Sequence, residues 1–220
     1  MEQIQNEQGI VLNIYDQNDN HALIKVLTNK QILYLYAKGF YKPQSKNLSQ
    51  VFIGSLVNFE LFCNYGSETK KLLKKAQIDS FLDFEKISQQ SYQNLIHFLN
   101  LLETHNSKFF NEYVKFLKTK NLDCVDWMIT YLLNFVLETK GKKLILDRCF
   151  ICKTKQNLYS VNVFDGGMFC INHHSPKSIT NINLVKAFYY LSQSFNDYLN
   201  YCSSITNFLV LDELKILLNF

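Results

Sequence analysis

Arginine is nearly missing from this chain: of 23 basic residues, 22 are lysine and only Arg148 is arginine. Together with abundant Asn, Ile, Phe and Tyr, this bias reflects AT-rich coding, so the missing arginine excludes nothing by itself. Two prolines and seven glycines in 220 residues exclude a collagen-like or proline-rich chain. No apolar run is long: the uncharged stretch Trp127–Leu137 has 11 residues and contains Asn134, against the roughly 20 residues a bilayer span takes. Met1–Gly9 has neither a positive start nor an apolar segment, so the sequence predicts no secretory signal and no membrane partner. A cytoplasmic chain with reduced cysteines is expected. What is there suits a folded chain of one large domain or two small ones: 47% hydrophobic, 15% aromatic, net charge +4.

The first 78 residues read as a β module. Gly9–Tyr15 alternates, with Ile10, Leu12 and Ile14 on one face and Val11, Asn13 and Tyr15 on the other. Ala22–Leu27, Gln31–Ala37 and Val51–Phe62 read as further strands, with a bulge or bend at Gly54 and Ser55. Lys70–Ile78 fits a helix or a fifth strand equally. Four or five short strands in this length suggest a small closed barrel. From residue 79 the period becomes helical: Tyr92, Leu95, Ile96, Leu99 and Leu102 share a face, and Phe109–Leu117 forms another short helix. Asp123–Thr139 is apolar almost all round, a buried helix stopped at Gly141, and Leu184–Leu199 and Ile205–Leu218 read as the last two helices. The class is α+β: a barrel over 1–78, then an all-α domain over 79–220 with an insertion at about 147–175.

That insertion carries the clearest chemistry. Cys149-Phe-Ile-Cys152 is followed, 17 residues later, by Cys170-Ile-Asn-His173. Each x₂ spacing aims two ligands at one ion, and two such knuckles at this separation form a structural zinc pattern, here Cys₃His. Between them, Leu158–Phe164 is β-rich and Asp165-Gly166-Gly167 suits a tight turn. A redox CxxC, a site that has lost its metal and a catalytic zinc are the competing readings, and His174 competes with His173 for the fourth position. Cys63, Cys124 and Cys202 stand apart in apolar surroundings and read as packing residues.

A second feature is an absence of acid. Between Asn20 and Phe59 there is no Asp or Glu, while Lys25, Lys30, Lys38, Lys42 and Lys46 supply five positive charges. Ile32, Tyr34, Tyr36 and Lys38 share one strand face beside the loop Lys38–Lys46. Lysines that neutralise phosphates next to aromatic rings that stack on bases suit single-stranded nucleic acid; a solvated, aggregation-resistant edge strand is the plainer reading. Lys25, Tyr34, Tyr36, Lys38, Lys42 and Lys46 are the candidate contacts. Lys70, Lys71, Lys74 and Lys75 form a further basic cluster.

Taken in order, these features resemble the RecO family of bacterial recombination mediators. Gly9-Ile-Val-Leu opens the first strand, and Ala37-Lys38-Gly39 with Pro43 and Ser45-Lys46 is similar to the family's basic loop. Leu146-Asp147-Arg148-Cys149-Phe-Ile-Cys152 and Gly166-Gly167-Met-Phe-Cys170 resemble its two knuckle entries. The resemblance implies an OB-fold that binds single- and double-stranded DNA and promotes annealing. It also implies work with RecR and with the acidic tail of single-stranded-DNA-binding protein, assisting RecA indirectly. Two departures stand out: His173 where Cys is usual, and a basic surface of lysine rather than arginine. No P-loop, GxSxG, HExxH or paired-carboxylate signature is present, so no enzymatic role is expected. A zinc-ribbon protein adaptor and a metal-dependent nucleic-acid hydrolase are the alternatives.

Overall fold

The computed structural model describes residues 4–218 other than 19, 63–69, 84, 120 and 121, which leaves Cys63 outside the described residues. The chain divides into two compact units, Met1–Asp123 and Cys124–Phe220.

In the first unit, β1 (Ile4–Gln17), β2 (His21–Thr28), β3 (Ile32–Ala37), β4 (Leu56–Phe62) and β5 (Lys70–Ser80) close a barrel in the order β1-β2-β3-β5-β4. This is an OB-like arrangement. Closure rests on a short parallel pairing of β3 with β5, Tyr34–Tyr36 against Lys70–Leu72. Every other pairing is antiparallel. Lys70–Ile78 is therefore strand, not helix. A register shift between Val11 and Asn13 corrects the expected faces of β1: Val11, with Ile14 against it, joins the core of Ile24, Val26, Leu35, Phe59 and Leu61, whereas Ile10 and Leu12 are buried outside that core. A bulge adds one residue and so exchanges the two sides of a strand. The expected strand start at Val51 is also displaced. Leu48–Gln50 is a 3₁₀ turn and Gly54 bends at φ +85°, where the Tyr113 hydroxyl donates to its carbonyl at 2.9 Å.

Two helices follow in the same unit, α1 (Gln89–Asn100) and α2 (Ser107–Thr119), and α1 packs against β1. They group with the barrel, whereas the sequence reading placed them with the helical domain. The Ser88 hydroxyl caps α1 by accepting from the Ser91 N–H.

The second unit holds α3 (Val125–Thr139), the hairpin β6 (Leu158–Asn162) and β7 (Gly167–Cys170), then α4 (Ile182–Leu191), α5 (Phe195–Tyr201) and α6 (Ser204–Leu217). α3 packs on α5 and α6, and the Trp127 indole donates to the Cys202 carbonyl at 2.7 Å. The expected single helix Leu184–Leu199 is two. The break at residues 192–194 restarts at Ser194, whose hydroxyl accepts from Asp197 N–H. No described helix is long and apolar enough to cross a membrane.

Candidate metal centre and nucleic-acid interface

Two tight loops bring the cysteines together. In the first, Cys149 N–H donates to Thr154 O at 2.8 Å and Lys153 N–H donates back to Cys149 O at 3.0 Å, with Lys153 at φ +61°. In the second, His173 N–H donates to Cys170 O at 2.9 Å just past β7. The segment carrying the first loop is laced onto the glycine pair before the second. Ile145 N–H donates to Gly166 O, Met168 N–H to Ile145 O and Phe150 N–H to Met168 O, all between 2.7 and 2.9 Å. At Gly167, φ is +139° and a Cβ would lie 2.1 Å from Ile145 O. Only glycine lets the two backbones meet there.

The result is a cluster in which Cys149 Sγ, Cys152 Sγ, Cys170 Sγ and a His173 ring nitrogen all lie within 4.8 Å of one another. Cys152 and Cys170 sulfurs are 3.7 Å apart; His173 Nδ1 is 3.3 Å from Cys170 Sγ and 3.7 Å from Cys149 Sγ. Cys149 and Cys170 are buried, His173 is half-buried and Cys152 is exposed. Burial opposes the Cys149 thiolate, but backbone N–H groups of Cys170, Cys152 and Ile151, helped by the Cys152 thiol, pull its pKa down to about 6. Burial pushes the Cys170 thiol up. Four convergent donors, three of them soft sulfurs, are a set that could hold a metal ion. His174 is not in the cluster; its ring lies against Tyr159, centroids 5.1 Å apart. Beside the cluster, the Arg148 guanidinium 3.0 Å away holds the Asp147 carboxyl below its ordinary range. Cys124 and Cys202 are buried, as packing residues should be.

On the barrel, Lys38, Lys42 and Lys46 are exposed along one ordered loop. Its base is clamped: Gly39 N–H donates to His21 Nδ1 at 2.7 Å, Tyr41 N–H to Asn20 O at 3.0 Å, and the Tyr41 hydroxyl to Asp16. Burial first, then Asp16, pushes the Tyr41 hydroxyl up to about 12. Farther on, Asn47 Oδ1 accepts from Ala76 N–H at 2.8 Å and Gln50 Oε1 from Ile78 N–H at 3.2 Å, tying the loop to β5. Between loop and strand runs a groove of about 810 Å³ lined by Lys38, Lys46, Lys74 and Lys75. The two basic stretches of the sequence thus meet. Tyr34 is half-buried and Tyr36 is 38% exposed on the outer face of β3. Lys25 is a correction: at 4% exposure it is covered, as is Leu27 on the same side of β2. Pointing out of a barrel is not the same as reaching solvent.

With this geometry in view, the chain is similar to a known repair protein. It is 27% identical over 171 residues to DNA repair protein RecO of Oceanobacillus iheyensis, across 74% of this chain. The chain spans 65% of that relative's length. No protein-family model matches. Among solved structures, asparaginyl-tRNA synthetase of Entamoeba histolytica with its asparaginyl-adenylate aligns at TM-score 0.30 and 7% identity, over 77% of this chain and 40% of that one.

Sequence reasoning left Tyr15 out of the candidate surface and named Lys74 and Lys75 only as part of a further basic cluster. Tyr15, 40% exposed, stands in one cross-strand row with Leu23 and Tyr36. Lys74 and Lys75 are both exposed, although alternation allows only one of two neighbours to face out. A register shift opposite Glu60 and Leu61 accounts for it. The shortage of acid before residue 60 was a signal for the loop; nothing local signalled the bulge.

Proposed function

We propose that this chain is a non-enzymatic, cytoplasmic DNA repair and recombination mediator. Its barrel binds single- and double-stranded DNA and speeds strand annealing, and a structural zinc braces its second unit. The reading extends to work with RecR and the acidic tail of single-stranded-DNA-binding protein, and indirectly with RecA. One observation carries it: lysines distant in sequence line a single groove on an OB-like barrel whose β3 also exposes Tyr36. Lysines there neutralise phosphates without reading sequence, which leaves base edges free to find partners. The similarity to a protein named for DNA repair supports the same direction.

Zinc is the metal the donors favour. Four ligands at bond lengths of about 2.0–2.3 Å around a tetrahedral ion lie roughly 3.5–3.8 Å apart; here two separations are 3.7 Å, one is 3.3 Å and all are within 4.8 Å, so the donors need only small adjustments to close on an ion. Cys149, Cys152, Cys170 and His173 fill the shell, so the ion would cross-link two loops and activate nothing.

The test is binding of a labelled single-stranded oligonucleotide across a salt series, then annealing of complementary strands. Affinity should fall steeply with salt. Reversing Lys38, Lys42 and Lys46 to Glu should lower it at least about tenfold and flatten the salt slope by about two, three phosphate contacts being lost. Reversing the exposed Lys155, Lys177 and Lys186 of the second unit serves as the charge control. Annealing should accelerate, also on strands precoated with single-stranded-DNA-binding protein. Equal losses from both triple variants, or slower annealing, would overturn the proposal.

A further inference from the structure

Glu60 lines the lysine groove, and no other acid does among its described lining residues. Its carboxylate is shared between two cations: Oε2 lies 3.5 Å from Lys74 Nζ and Oε1 lies 3.8 Å from Lys75 Nζ. Both separations exceed the 2.7–2.9 Å of a charge-assisted hydrogen bond, and all three side chains are at least a third exposed. Such pairs add little to stability. The fold nevertheless builds this one with care. The register shift between Glu60 and Leu61 inserts an extra residue in β5, so that consecutive lysines both turn outward toward one carboxylate. Asn47 and Gln50 hold the facing wall in place by bonding the β5 backbone.

A carboxylate loosely held between lysines in a preformed basic groove sits where a phosphodiester would sit. We infer that Glu60 is an internal competitor for the nucleic-acid backbone: it occupies Lys74 and Lys75 in the free protein and gives them up when a phosphate enters. This rests on the DNA-binding reading and refines it, adding Lys74 and Lys75 as phosphate contacts and Glu60 as the residue that limits affinity. The consequence is a moderated grip. A strand held by Lys38 and Lys46 meets two further cations only by displacing an anion already there, which favours release once strands have annealed.

The test is fluorescence anisotropy with labelled oligo(dT) over a salt series, on the full chain. Glu60→Gln, which keeps shape and removes charge, should tighten binding about three- to tenfold and steepen the salt slope by about one, as two lysines become available to phosphates. Lys74→Ala with Lys75→Ala should weaken binding and abolish the gain from Glu60→Gln. Asp212→Asn, an equal charge change at an exposed site on α6, should have no comparable effect. A gain from Asp212→Asn equal to that from Glu60→Gln, or no gain from Glu60→Gln, would overturn the competitor role. If that happens while the Lys38, Lys42 and Lys46 reversal still weakens binding at least about tenfold, the DNA-binding reading survives; if the reversal is silent too, both fall. Melting temperatures of all variants verify folding.

Discussion

At the fourth corner of the cysteine cluster stands an imidazole rather than a thiolate, and the difference is electrostatic. Three thiolates and a neutral ring around a divalent cation sum to one negative charge, against two for four thiolates, which eases assembly where Cys149 and Cys170 are buried. The neighbouring His174 lies outside the cluster, with its ring against Tyr159. His173→Ala should therefore release zinc to a chromogenic chelator at least about 100-fold faster, since loss of mere supporting contacts already costs 10–100-fold. His173→Cys should retain the ion, and His174→Ala should behave as the parent protein. Fast release from the His174 variant instead would reassign the ligand.

Two glycines separate space from backbone freedom in the elements that carry the cluster. Gly141 ends α3 at φ +72° with nothing within 4 Å of a Cβ, so Gly141→Ala should cost only the left-handed penalty of about 1–2 kcal/mol. Gly167→Ala drives a methyl into the Ile145 backbone, and should cost about 3 kcal/mol or more, together with metal content. Thermal melting and zinc analysis of both variants check the contrast. The glycine pair and the CxxC and CxxH spacings were legible in the sequence because they are local: a turn and a ligand pair are each specified by a few adjacent residues. The strands of the barrel were legible wherever alternation is strict, as in Ile32–Ala37. They were not where a bulge intervenes. In β1 the shift past Val11 reversed the faces, and in β5 a second shift blurred Leu72, Leu73 and Ala76 into a pattern equally suited to a helix. The burial of Lys25 depends on what covers the outside of β2, which no local pattern reports. The break between α4 and α5 carries neither proline nor glycine, and its one mark is the capping Ser194.

Across the whole molecule, the chain divides into two units, and the single tryptophan lies in the second. Trp127 lies in the second unit, bonded to Cys202 O, so its fluorescence is a probe of that unit. Stripping zinc with a strong chelator should shift the Trp127 emission and lower the melting temperature of the second unit. Oligonucleotide affinity should stay within about twofold, because the groove residues belong to the first unit and the cluster residues to the second, and the two sets share no residue. A parallel collapse of both signals would mean that the barrel depends on the metal. The loop that carries Lys38, Lys42 and Lys46 has one more consequence. Beyond its three-residue pairing with β3, β5 exposes a strand edge, and the side-chain amides of Asn47 and Gln50 occupy it at Ala76 and Ile78. An open edge is a template for addition of a foreign strand and so for polymerisation. The residues that tie the lysine loop to β5 are thus also a stopper on that edge, so a change that frees the loop also uncorks the sheet.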